Sequence, residues 1–164
     1  MDVGKGRFSN FTQPVKRQDF SDRLDQLKVS LEDIIIKDLS VNGTVKVRNV
    51  ADHKEVTVRY TFDGWSSSKD VVAQFVDESH TGSTDTFAFE IAMPSTLSED
   101  CELEFAVCYS APGVEFWDNN DGDNYRVMCC SSCPGPTVAQ DSPSKVWKYI
   151  LNYIFYILEK IRVV

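Results

Sequence analysis

The residues best suited to chemistry are concentrated in one short run, Phe116-Trp117-Asp118-Asn119-Asn120-Asp121-Gly122-Asp123-Asn124-Tyr125-Arg126. Three aromatic rings flank three carboxamides around an Asp-Gly turn signal. A sugar ring has apolar C–H faces and a rim of hydroxyls. An aromatic ring stacks on such a face, and it does so at low cost in side-chain entropy. A carboxamide offers a donor and an acceptor side by side, which suits adjacent hydroxyls. Trp117 with Asn119, Asn120 and Asn124 is therefore a candidate sugar platform. The same residues also fit a polar loop whose Asn and Asp side chains cap turns, with Trp117 and Tyr125 in the core.

A second candidate is Thr61-Phe62-Asp63-Gly64-Trp65-Ser66-Ser67-Ser68-Lys69. A strand-like run ends in a turn that presents Trp65 among hydroxyl residues. Trp65 is either a second stacking platform or a cover for the core.

Other chemistries fare worse. A calcium loop needs oxygen ligands at positions 1, 3 and 5, Gly at 6 and Glu at 12. With Gly122 at position 6, Asn119 and Asp121 fit, but Trp117 and Met128 occupy positions 1 and 12. No metal or cofactor is expected. The two histidines, His53 and His80, lie in separate turn-like segments, and no nucleophile elbow, phosphate loop or His-Glu-x-x-His pattern occurs. Carboxylate pairs for a glycosidase are not singled out by spacing. A non-enzyme is expected, with a glycoside hydrolase as the alternative. Cys130-Ser131-Ser132-Cys133 beside Cys129 has no second ligand pair to complete a zinc site. It reads as linker thiols or as an S-acylation cluster ahead of an apolar helix.

These residues need a scaffold, and the middle of the chain supplies one. Val45 and Val47 alternate with Lys46 and Arg48. Val56, Val58, Tyr60 and Phe62 alternate with Thr57, Arg59 and Thr61. Phe87, Phe89 and Ile91 form a third inward set, and Leu103, Phe105, Val107 and Tyr109 a fourth. A period of two turns each set toward one sheet face. Val29–Ile36, Val71–Val76, Val114–Trp117 and Asn124–Met128 are further strand candidates. Asn42-Gly43, Asp63-Gly64, Thr81-Gly82, Pro112-Gly113 and Asp121-Gly122 are expected to be turns. About eight strands in about 100 residues point to an all-β, immunoglobulin-like antiparallel sandwich, with a closed barrel as the alternative. Four zones follow: an irregular N-terminal lead over 1–28 with a short helix near Asp19–Leu27, the β-domain over 29–128, a Ser/Pro/Cys-rich linker over 129–144, and a C-terminal helix over 145–164.

Charge bounds the partners. The 164 residues carry a formal −8. Residues 29–128 hold seven basic and nineteen acidic residues, a net −12, so a nucleic-acid partner is not expected. The N-terminus lacks a signal-peptide pattern, and a reducing, cytoplasmic setting is expected. Residues 145–164, KVWKYILNYIFYILEKIRVV, carry net +3 and a wide apolar face. They read as an amphipathic helix lying on a membrane surface, or as one packed on the sandwich.

Several stretches together resemble the glycogen-targeting regulatory subunits of protein phosphatase 1, which carry a carbohydrate-binding module of family 21. They are Phe11-Thr12-Gln13-Pro14, Lys28-Val29-Ser30-Leu31-Glu32, Gly43-Thr44-Val45-Lys46-Val47-Arg48-Asn49, Tyr60-Thr61-Phe62-Asp63-Gly64-Trp65, Gly82-Ser83, Asp85-Thr86-Phe87-Ala88-Phe89, Glu104-Phe105-Ala106-Val107-Cys108-Tyr109 and Trp117 through Tyr125. The resemblance implies a non-catalytic module that binds glycogen or another α-1,4-glucan. Trp65 and Trp117 would stack, Asn119, Asn120 and Asn124 would bond hydroxyls, and Asp118 and Tyr125 would shape the loop. It further implies partnership with glycogen synthase or related enzymes, residence at glycogen particles, and promotion of glycogen synthesis. The family docks the phosphatase catalytic subunit through a basic-Val-x-Phe element. In Lys5-Gly6-Arg7-Phe8-Ser9-Asn10-Phe11 the aromatic place holds Asn10, and Arg59-Tyr60-Thr61-Phe62 has Tyr in the valine place. The expectation is a targeting subunit that brings the phosphatase to glycogen, with a shortened form that binds glucan and recruits little phosphatase as the alternative.

Overall fold

The computed structural model describes residues 6–37, 40–94 and 101–130. The linker beyond Cys130 and the C-terminal helix expected over 145–164 lie outside the described residues. No helix among the described residues is long and apolar enough to cross a membrane.

Among the described residues, ten strands form two antiparallel sheets. They are β1 (Gly6–Ser9), β2 (Val29–Lys37), β3 (Ser40–Arg48), β4 (Glu55–Thr61), β5 (Lys69–Val72), β6 (Gln74–Phe75), β7 (Thr84–Ala92), β8 (Cys101–Ala111), β9 (Val114–Asp118) and β10 (Tyr125–Cys130). One sheet runs β1-β10-β8-β4-β5, with β9 also paired to β8; the other runs β2-β3-β7-β6. The inward sets expected from alternation form the core. Val45, Val47 and Ile91 of one sheet meet Val56, Val58, Leu103, Phe105, Val107 and Tyr109 of the other, all fully buried.

Three expectations need correction. The lead is not irregular over residues 6–28. It holds β1 and a 3₁₀ turn at Pro14–Lys16 ahead of the helix α1 (Phe20–Leu27), which lies where a short helix is expected. Phe11 enters the core edge-on to Tyr125, at 5.0 Å between ring centroids. The segment Val71–Val76 is not one strand. It changes sheets at the buried Ala73, so β5 pairs with β4 and β6 with β7. Asn42-Gly43 is not a turn but lies inside β3. Gly43 is there because Phe89 packs across it: an added Cβ would stand 2.5 Å from Phe89 Cζ and 3.1 Å from the Asp33 carbonyl oxygen. Gly43→Ala is therefore expected to destabilise the fold by about 1–3 kcal/mol, as overpacked cores do. Urea unfolding checks this, and Phe89→Leu in the same chain should recover part of the loss.

Candidate functional site

The alternation that buries Val56, Val58, Phe105 and Val107 turns the side chains between them to the outer face of the six-stranded sheet. Glu104 pairs with Thr61 and Arg126, Ala106 with Arg59, and Cys108 with Thr57 and Trp117. This face collects the candidate residues from two loops, one after β4 and one between β9 and β10.

The first loop is built on Asp63. Its carboxylate accepts from the Ser67 amide at 2.9 Å, the Ser67 hydroxyl at 2.6 Å and the Thr61 hydroxyl at 2.7 Å. Thr61 Oγ1 in turn accepts from the Trp65 amide at 3.1 Å. The mesh holds Trp65 at φ 70°, a left-handed conformation that a bulky side chain adopts only when its surroundings impose it. The indole is 38% exposed, and its Nε1 donates to Glu104 Oε2 at 2.8 Å. Donation from Ser67 lowers the Asp63 pKa to about 2. A depressed carboxylate pKa contributes stability above the unfolded value, and that stability is lost as pH falls through the folded value. The Trp65 loop is thus expected to stay ordered at pH 4 and loosen between about pH 4 and pH 2. Amide protection of Ser67 measures this.

The second loop hangs on Asp118. Its register partner is Val107, so its carboxylate points inward, and it is fully buried. Oδ2 accepts from the Leu31 amide at 2.8 Å and the Tyr125 hydroxyl at 2.7 Å. Oδ1 accepts from Arg23 at 3.3 Å and the Asn120 amide at 3.2 Å. Leu31 lies on the edge strand β2, so Asp118 satisfies an amide next to a bulge in the ladder. Burial and the neighbouring Asp118 push the Tyr125 phenol well above its usual range, which keeps it a donor. Asp121 is tied down from outside by Arg23 and Arg17, and donation from Arg23 lowers its pKa. Asn120, Asp121 and Asn124 all have positive φ, a region that Asn and Asp tolerate best among residues with side chains.

The three carboxamides have different tasks. Asn119 Oδ1 accepts from the Gly122 amide at 3.1 Å and caps the 3₁₀ turn Asn120–Gly122. Asn120 Nδ2 donates to the Asn124 carbonyl at 3.1 Å. Asn124 Nδ2 donates to Glu104 Oε2 at 3.3 Å, the oxygen that also holds Trp65. Trp65 and Asn124, 59 residues apart in sequence, thus meet at one carboxylate oxygen. Trp117 stands farther along the same face and is 37% exposed. The Arg59 guanidinium lies over its ring at 5.6 Å and is itself clamped by Asp70 through two bonds of 2.8 and 2.9 Å. Cys108 is beside it, outward by register yet buried.

A family model described as carbohydrate/starch-binding module (family 21) matches residues 23–128. The chain belongs to that family. Protein phosphatase 1 regulatory subunit 3B of Mus musculus is 41% identical over 138 residues, 82% of this chain and 49% of that protein. The human counterpart, from Homo sapiens, is 42% identical over 121 residues, 73% of this chain and 42% of that protein. The chain spans about half the length of the curated relatives it matches. The solution structure of the carbohydrate binding module of the muscle glycogen-targeting subunit of Protein Phosphatase-1 is similar at TM-score 0.65 and 29% identity, covering 79% of this chain and 96% of that one.

In this family 21 module, then, Trp65, Trp117 and Asn124 share the outer face, with Asn119 and Asn120 at the loop beside it. Asp118 and Tyr125 sit beneath the loop as its foundation. Sequence reasoning passed over Glu104, Arg59 and Arg23. Glu104 and Arg59 are outward residues of alternating strands and look like ordinary solvated charges; Arg23 lies on a helix whose partners are 95 and 98 residues away.

Proposed function

We propose that this chain is a non-catalytic module that binds glycogen or a related α-1,4-glucan and serves as the targeting part of a protein phosphatase 1 regulatory subunit. The observation that carries the glucan reading is the meeting of an exposed indole and a carboxamide at one buried carboxylate, on a sheet face that also presents Trp117. Membership of the family and the likeness to phosphatase regulatory subunits support it. Trp65 is the principal stacking ring, Trp117 a second ring with one face occupied by Arg59, and Asn119, Asn120 and Asn124 are the hydroxyl partners. Co-sedimentation with glycogen tests this. The wild type is retained in the pellet, and Trp117→Ala and Asn124→Ala, each folded by circular dichroism, are retained less. Undiminished retention of both would remove the second loop from the site, and release of reducing sugar from glycogen would favour a hydrolase instead.

A second reading, a glucan module that recruits little phosphatase, has its own support. The nearest match to the docking element, Arg59-Tyr60-Thr61-Phe62, lies in and just beyond strand β4, with Tyr60 and Phe62 packed on the core. An extended docking peptide cannot be drawn from it without unfolding the sandwich. Calorimetric titration with the phosphatase catalytic subunit is expected to give weak or no binding. Sub-micromolar affinity would overturn this reading.

A further inference from the structure

Glu104 alternates with the core residues Leu103 and Phe105, so its side chain leaves the sandwich on the candidate face, yet it is only 8% exposed. Among the described groups that face it are Arg126, at 3.8 Å, and Glu102. Burial disfavours its charge, but donation from Trp65 and Asn124 and the nearby Arg126 more than offset this, and its pKa is lowered. A carboxylate is an acceptor only. The Nε1–H of Trp65 is the sole donor of the indole, so its 2.8 Å bond to Oε2 fixes the rotation of the ring, while Thr61 holds the backbone amide of the same residue. Asn124 is likewise held at both ends. Its backbone amide donates to the Asn119 carbonyl at 2.8 Å, and its side-chain Nδ2 donates to Glu104 at 3.3 Å. The acceptor character of Glu104 decides which way that amide turns.

We infer that Glu104 is the positioning residue of the glucan site: it sets the plane of the Trp65 ring and turns the Asn124 carboxamide so that its Oδ1, an acceptor, is left to receive a sugar hydroxyl. The inference rests on the glucan reading proposed above. It deepens that reading by giving the site a polarity: at Asn124 the site takes a hydroxyl as a donor. Glu104 itself acts through Trp65 and Asn124, without touching the sugar.

A double-mutant cycle read by calorimetry with β-cyclodextrin separates these roles. Glu104→Ala is expected to weaken binding about tenfold, and Glu104→Gln, which keeps an acceptor oxygen, to restore it to within about threefold of wild type. Trp65→Phe keeps a ring but deletes the donor; in that background the effect of Glu104→Ala should shrink to about threefold. A full tenfold loss in both backgrounds would mean that Glu104 does not act through the Trp65 ring, and would overturn the inference. A second arm needs no glucan. The indole N–H resonance of Trp65 in the free chain should move on Glu104→Ala and return toward its place in Glu104→Gln. An unmoved resonance would overturn the positioning role whatever the affinities. If the wild type binds no β-cyclodextrin or glycogen, the glucan reading fails, while the resonance still decides whether Glu104 holds the ring.

Discussion

Trp65→Ala is expected to lower affinity for β-cyclodextrin and glycogen by about 5- to 150-fold while leaving the melting temperature nearly unchanged. Stacking of a flat ring is worth about 1–3 kcal/mol, taking base–aromatic stacking as the analogue. Each 1.4 kcal/mol is about a factor of ten. Trp65 offers a well-exposed ring that is locked by its amide and its indole N–H, so little entropy remains to be lost on binding. Its side chain is on the surface and its backbone is held in the left-handed region, where a smaller side chain is under no greater strain. Stability and affinity should therefore separate in this variant. Trp117→Ala should cost less affinity, because Arg59 already occupies one face of that ring. Calorimetry with β-cyclodextrin and thermal unfolding of the same samples measure both quantities. Equal losses for Trp65→Ala and Trp117→Ala would mean that the Arg59 contact does not limit the second ring.

Asp118→Ala should behave in the opposite way and lose stability first, by about 3–5 kcal/mol, the usual cost of removing one partner of a buried charge pair. Four donors lose their acceptor at once: the Leu31 and Asn120 amides, the Tyr125 hydroxyl and Arg23. Arg23 keeps its exposed partner Asp121, but the buried Leu31 amide and the phenol have no other described partner. Glucan binding then falls with the folded fraction, and falls further because the Asn119–Asn124 turn loses its anchor. Urea unfolding reads the stability change directly. A loss below about 1 kcal/mol would mean that water replaces the carboxylate, contrary to its complete burial.

The strands were legible because each writes its own face. Val56 and Val58, or Phe105 and Val107, can be assigned inward from neighbours two residues away, and the structure buries them as that period requires. Asn42-Gly43 misled because a turn dipeptide is judged locally, whereas its reason here is a phenyl ring from β7. Strand β1 carried no alternation, and its partner β10 is about 120 residues distant. The aromatic and amide residues of the candidate site stood out by composition, and Trp65 and Trp117 are exposed. Their division of labour did not stand out. Asp118 looks like one more loop carboxylate until β2 and α1 bring Leu31 and Arg23 to it. Glu104 reads as an outward strand residue until two loops close over it.

On the proposed reading, one sheet face, organised by Trp65 and Asn124, receives an α-glucan. The most direct measurement is a titration of the isotopically labelled chain with β-cyclodextrin, followed at the Trp65 indole N–H and the Asn124 side-chain amide. Both signals are expected to move together along one saturable curve, with the Trp117 indole N–H following on the same curve. If all three signals stay in place at saturating β-cyclodextrin, the site is not where these residues put it and the glucan reading is overturned.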